Sequence, residues 1–333
     1  MLNNFFVQFE ISEWESMLEI LSESNAVSWR SIALSKCGRV FVSSGDYLLN
    51  GFGLHELKED GSWLPVYYSP VDNEYQFHTH YLANIKELAF DKNDVLWAIQ
   101  CFPEDRSKIT LLAFDIDRNK CISYFTVTMH ADIHVSKFRV WNGYAIISES
   151  KHQSLIFIRL ADGKYRCMDV GFLIGKYIDI TPGNGNSKDV VFSERQLIIE
   201  ICDDKKSLIM IPSELGVMYH FKLNEITLLF TSDDLGFRTI DETIIPKIRI
   251  NDICKDQDGQ IFVADCTHKG ISYLDKTGHL YPIVTADVIS CINSITISNN
   301  HIFYMTTTQS HSAANKNNNE TNLKASVVFN FHY

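Results

Sequence analysis

The chain has 333 residues, of which 45% are hydrophobic, enough to bury a core without disulfide or metal staples. A formal net charge of −11, a sequence pI of about 5.5 and the absence of any basic run argue against a nucleic-acid or anionic-membrane surface. The eight cysteines (Cys37, Cys101, Cys121, Cys167, Cys202, Cys254, Cys266 and Cys291) show no CxxC spacing, and several sit inside strand-like phrases as buried apolar thiols do. No basic n-region, long apolar h-region or bilayer-length apolar run follows the first residue, so a reduced, cytoplasmic protein is expected.

In chain order, "NFFVQFEI" (4–11) has strand character and "SEWESMLEILSES" (12–24) reads as a short lead-in helix. The phrase "SIALSKCGRVFVSSG" then joins two strand-like runs by a tight turn, and it recurs as "ELAFDKNDVLWAIQC" (87–101), "DICKDQDGQIFVADC" (252–266) and "SITISNNHIFYMTTT" (294–308). Two further runs follow each phrase. They are 52–57 and 63–68 in the first unit, and 109–116 and 121–128 in the second. The third unit runs from Phe138 to Asp169, the fourth covers about 188–231 and includes "ITLLFTS" as its last strand, and the fifth covers 251–284. Four strands per unit, recurring every 35 to 55 residues or so, is the period of a β-propeller blade. The sixth unit begins at Asn293 and is one strand short. Its polar tract 309–325 has the composition of a mobile loop, and 4–11 is expected to supply the missing strand. The expected fold is all-β: one domain over 1–333, a six-bladed β-propeller of four-stranded blades whose ring is closed by the N- and C-terminal strands.

The order "GRVFVSSG", "LHELKEDGSWLPVY", "IKELAFDKNDVLWAIQ", "KITLLAFDIDRNKCISYF" resembles the yellow / major royal jelly protein family, as do "SLIMIPSELGVMYHF" and "INDICKDQDGQIFVADCTHKGI" further on. The resemblance spans about residues 29 to 308 and implies the propeller fold more than any one chemistry, because the family's functions are diverse. Gln100 departs from it, standing where the family usually carries an acidic residue.

In such a ring the start of each inner strand faces the channel, and the long loops open on one face. Aligned on the turns, the first channel positions are Arg30, Lys86, Ser136, Lys188, Asn251 and Asn293, followed by Ser31, Glu87, Lys137, Asp189, Asp252 and Ser294. Related six-bladed lactonases of the senescence-marker / gluconolactonase family hold a divalent metal at these first positions with Glu, Asn, Asn and Asp. Three basic residues there disfavour a hard cation and instead suit a carboxylate or other anion. The alternative reading is a self-neutralising polar channel. His78, His80, His130 and His134 fall on two consecutive connections of one face and can converge as general acids or bases; the ordinary alternative is four backbone-satisfied loop histidines. Cys101 ends a strand on the same face, where a small buried thiol is the commoner role, and Tyr81 belongs to an aromatic rim able to stack a flat substrate.

These features predict an enzyme of the isomerase, cyclase or lyase type that works by proton transfer on an anionic or aromatic metabolite at the channel mouth, without cofactor or bound metal. His78, His80, His130, His134 and Glu87 would be catalytic, and Arg30, Lys86, Lys137, Lys188, Asn251, Asp252, Asn293, Tyr81 and Cys101 would bind substrate. The expected partner is a small molecule, and the protein a monomer or weak oligomer. The alternatives are a non-catalytic propeller that binds a small ligand or a protein, and a metal-dependent lactonase.

Overall fold

A computed structural model describes residues 19–24, 29–44, 53–66, 82, 84–176, 195–202, 206–231, 237, 239–285, 291–310 and 324–332. The recurring phrase is a hairpin built on one capped turn. Asp91 Oδ1 accepts from the backbone N–H of Asn93 and Val95, and Asp256 Oδ1 accepts from those of Asp258 and Gln260. Ser35 and Ser298 do the same with their hydroxyls, for Arg39 and Ile302. In each turn the residue three positions on from the cap (Gly38, Asp94, Gly259, His301) has positive φ and donates its N–H back to the capping residue's carbonyl. Sheet three uses a tighter device: Asn142 and Gly143, both at positive φ, form the two-residue link between paired Trp141 and Tyr144.

These hairpins build six four-stranded antiparallel sheets. In chain order the first five are β2–β5 (Trp29–Leu34, Val40–Ser44, Leu54–Leu57, Trp63–Pro65), β6–β9 (Ile85–Phe90, Leu96–Phe102, Asp105–Asp115, Lys120–Thr128), β10–β13 (Val135–Trp141, Tyr144–Glu149, Ser154–Arg159, Tyr165–Asp169), β14–β17 (Leu197–Cys202, Ser207–Pro212, Val217–Lys222, Ile240–Ile244) and β18–β21 (Ile250–Lys255, Ile261–Asp265, Gly270–Leu274, Leu280–Thr285). The last comprises β22 (Cys291–Ile297), β23 (Ile302–Ser310), β24 (Lys324–His332) and β1 (Glu19–Ser24), in that order from its inner edge. Inner strands β2, β6, β10, β14, β18 and β22 touch one another in succession, and β22 touches β2. The chain is an all-β propeller.

Three expectations are corrected. Residues 19–24, read as the end of a lead-in helix, form β1, whose pairing with β24 (Glu19 with Asn330, Ser24 with Ser326) outweighs the helical spacing of the segment. The fourth strand of the last sheet is therefore β1, while 4–11, expected in that place, and 12–18 lie outside the described residues. The polar tract shortens as well: β23 runs on to Ser310 and β24 starts at Lys324, with 311–323 outside the described residues. In the fourth unit the frame slips by one strand. "LIIEIC" is the inner strand, and Ile226–Leu229, taken for the outer strand, is a helical turn that buries Ile226 and Leu229; the outer strand is Ile240–Ile244.

The core lies between the sheets. Each of six hydrophobic clusters joins two neighbouring sheets; Ala33, Phe41, Leu88 and Phe114 link the first to the second, and Leu21 and Tyr304 of the last sheet pack against Trp29 and Val42 of the first. Five of the six inner strands, all but β14, carry a bulge at a common level. Pairing skips Arg30, Lys86, Ser136 and Asn293 singly, and it breaks between Ile250 and Ile253 around Asn251 and Asp252. A bulge turns side chains out of the regular alternation, and here it sets polar residues around the channel.

Candidate functional site

Just below the bulges the channel is closed by a buried ion network. Lys137 Nζ lies 3.2 Å from Asp252 Oδ2, 3.6 Å from Glu87 Oε1 and 3.3 Å from the Asn293 carbonyl. All three side chains are almost wholly buried. Ser31 Oγ donates to Glu87 Oε2 at 3.1 Å, and Ser294 Oγ donates to Asp252 Oδ2 at 2.6 Å. Arg139 continues the network, 2.9 Å from Glu200 Oε2 and 3.4 Å from Asp252 Oδ1. Three carboxylates thus face two cations. Burial pulls Asp252 upward, but Lys137, Arg139 and the Ser294 hydroxyl outweigh it and hold its carboxyl below the ordinary range. For Glu87 burial prevails over the attraction of Lys137, with the nearby Asp252 charge adding to the rise, so its carboxyl holds a proton more tightly than an ordinary glutamate does.

Above this floor opens a cavity of about 550 Å³. Glu87 and Lys137 reach its base, Arg30, Lys86 and Arg106 bring positive charge to its walls, and His134 stands beside them. Arg106 Nη1 lies 3.5 Å from His134 Nε2, which sets a guanidinium against the imidazole. Asn251 is 93% buried against the cavity; its amide nitrogen donates to the Ile292 carbonyl, while its Oδ1 has no partner among the described residues. The Ser136 hydroxyl, on the same wall, has none either. The site therefore brings together cations, an imidazole, a buried carboxyl and two buried polar atoms without a partner among the described residues.

Of the residues singled out in the sequence, Arg30, Lys86, Glu87, Cys101, His134, Lys137, Asn251 and Asn293 all line this cavity. His78, His80, Tyr81 and Lys188 lie outside the described residues. Three roles are corrected. His130 is exposed and leans toward Tyr165, with ring centroids 6.3 Å apart, away from the cavity lining. Asp252 lies beneath the cavity with both oxygens committed to Lys137, Arg139, Ser294 and the Ile295 N–H, so it supports the floor and does not meet a ligand. The Lys137 ammonium is likewise spent on Glu87 and Asp252. The Cys101 thiol is pushed up to about 11 by burial, which makes it a neutral wall residue and a poor nucleophile.

Sequence reasoning passed over Arg139, Glu200 and Arg106. The signal for the first two was a charge set between apolar neighbours inside an inner strand, "FRV" and "LIIEIC". A metal at the lactonase position does not fit these residues. Arg30 and Lys86 stand at the first channel positions, where such a metal is held, and just beneath them the Lys137 ammonium already sits between Glu87 and Asp252, with Arg139 behind.

The fold and this mouth define a β-propeller with a polar, cation-lined cavity at the end of its channel. No family model and no curated protein sequence matches the chain. Among solved structures it is similar to a streptogramin B lyase (11% identity, 93% of this chain and 96% of that one, TM-score 0.52). A gluconolactonase from Xanthomonas campestris shares 12% identity over 93% of this chain and 88% of its own, with a TM-score of 0.55. The RRP9 WD40 repeats share 10% identity over 94% and 98%, with a TM-score of 0.52. At these identities the likeness is one of fold, and the three proteins share no common activity.

Proposed function

We propose that the cavity binds a small anionic metabolite and catalyses proton transfer on it, as an elimination or isomerisation. The observation that carries this reading is the meeting of Arg30, Lys86 and Arg106 with His134 above the buried Glu87 carboxyl, whose pKa burial raises. The cations would hold a carboxylate and stabilise the charge that develops on an adjacent carbonyl oxygen. His134 would remove the neighbouring C–H proton, and Glu87 would return a proton to the leaving group or to the far carbon. A streptogramin B lyase and a gluconolactonase on the same fold are in keeping with a small-molecule enzyme.

The reading includes a single closed ring of six blades, supported by the six sheets and by the contact of β22 with β2. It also includes a likeness to the yellow / major royal jelly fold, supported by the recurring capped hairpins, and a reducing cytoplasmic setting, supported by eight free thiols. The test is hydrogen exchange in D₂O, followed by proton NMR, on small keto acids such as pyruvate, phenylpyruvate and levulinate. The protein should speed exchange next to the carbonyl, and His134→Asn should slow it by roughly 10²–10⁴-fold without loss of fold. Equal rates for parent and variant would leave a binding protein without chemistry.

A further inference from the structure

A second reactive group lies at the seam between the fifth and sixth sheets, apart from the residues just described. Cys266 follows directly on β19 and Cys291 opens β22, strands that touch across the seam. Their sulfurs stand 3.0 Å apart, and both residues are partly exposed. The Asn251 amide nitrogen donates to Cys291 Sγ at 2.9 Å, and the Cys266 N–H is anchored on the Arg249 carbonyl. The Cys266 S–H, donated toward Cys291, and the Arg249 charge overcome burial and draw the Cys291 thiol down to about 6, while the Cys266 thiol is pushed up. Near neutral pH one sulfur is thus a thiolate and its neighbour a protonated thiol in contact with it. That is the arrangement of an attacking and a resolving cysteine.

We infer that Cys266 and Cys291 form a peroxide-oxidised, reversible disulfide site that staples the fifth sheet to the sixth beside the cavity. The Cys291 thiolate attacks one oxygen of hydrogen peroxide, the O–O bond breaks to leave a sulfenic acid, and the displaced hydroxide takes a proton from solvent to become water. The Cys266 sulfur then attacks the sulfenic sulfur; its proton leaves with the displaced hydroxide as a second water, and the S–S bond forms. Two thiols lose two electrons and one peroxide gains them. Reduced glutathione reverses the bond through a mixed disulfide, becoming glutathione disulfide. Because Asn251 both lines the cavity and donates to Cys291, the bond alters one wall of the mouth.

The experiment treats the fully reduced protein with one equivalent of hydrogen peroxide, blocks remaining thiols with iodoacetamide, and maps the digest without reduction. A peptide pair joined through Cys266 and Cys291 should be the main product, and reduced glutathione should remove it. In Cys266→Ser, dimedone should trap a sulfenic acid on Cys291. Without peroxide, at about pH 6, iodoacetamide should label Cys291 on the order of tenfold faster than the exposed Cys37, the gain in thiolate being partly offset by weaker nucleophilicity. Oxidation of Cys37 or Cys167 with Cys266 and Cys291 both recovered as free thiols would overturn the inference, as would labelling of Cys291 no faster than Cys37.

Discussion

Replacing Lys137 by methionine tests whether the channel floor is an interdependent charge network. The side chain keeps its length and loses its ammonium, leaving Glu87 and Asp252 facing the vacated charge position. At 3.2 and 3.6 Å each attraction is worth about 5 kcal/mol gross at an effective dielectric near 20, and most of that offsets desolvation. The two acids are not left equal. Asp252 keeps Arg139 at 3.4 Å and the Ser294 hydroxyl, whereas among the contacts described here Glu87 keeps the Ser31 hydroxyl. The net loss should be about 3–5 kcal/mol near neutral pH, the usual cost of breaking a buried pair from one side. Most of it should trace to Glu87. Its pKa is already raised in the folded state, so the folded protein binds this proton more tightly than the unfolded chain does, and losing Lys137 strengthens that difference. The cost of Lys137→Met should therefore shrink as pH falls from about 8 to about 5, and Glu87→Gln in the same chain should recover more than half of it. Urea unfolding of parent, both single variants and the double variant across that range supplies the cycle. A cost that is independent of pH and additive with Glu87→Gln would refute the network.

Other consequences are open to direct measurement. His55 is buried in edge-to-face contact with Trp29 and Trp63, and burial lowers its pKa from 6.5 to about 4. The neutral ring's stability is fully present above pH 6.5 and is lost as pH falls toward 4, by about 3 kcal/mol in all. A His55→Phe chain that loses as much stability over this window as the parent would count against it. A Cβ at Gly270 would lie 1.8 Å from the Val284 carbonyl oxygen, so Gly270→Ala should cost roughly 2 kcal/mol or more by overpacking; an unchanged urea midpoint would contradict this. EDTA should leave the thermal midpoint unchanged, since the Lys137 ammonium holds the place between Glu87 and Asp252. A fall in the midpoint that added calcium restores would show a structural ion.

Much of the propeller was legible because its hairpins repeat a mechanism as well as a composition. A capping Ser or Asp, a positive-φ residue three positions on and a β-branched or aromatic strand mark Ser35, Asp91, Asp256 and Ser298 alike. In the fourth unit "ITLLFTS" has strand composition, but Ile226–Leu229 forms a helical turn, so the frame slipped there. Residues 19–24 misled for the opposite reason: helical spacing yielded to pairing with a strand some 300 residues away in sequence, which no local signal announces. Aligning the inner strands on their turns did find the cavity-lining Arg30, Lys86, Asn251 and Asn293. It did not show that Lys137 would reach Glu87 and Asp252, because contacts among residues 87, 137 and 252 exist only once the ring brings their sheets together. Arg106 escaped notice because its strand begins well before the apolar run that marks it, at Asp105.

The central claim, an anion-binding mouth, meets its most direct test in thermal-shift titration of small carboxylates (citrate, gluconate, salicylate, phenylpyruvate) against the parent chain and the Arg30→Ala/Lys86→Ala double variant. The account predicts that at least one of them raises the parent's midpoint in a saturable way, and that the response is lost or at least tenfold weaker in the double variant, whose own midpoint stays within a few degrees of the parent's because both residues sit at bulges of the cavity wall. Saturable binding of equal strength in both chains, or no binding by any of the four, would contradict it.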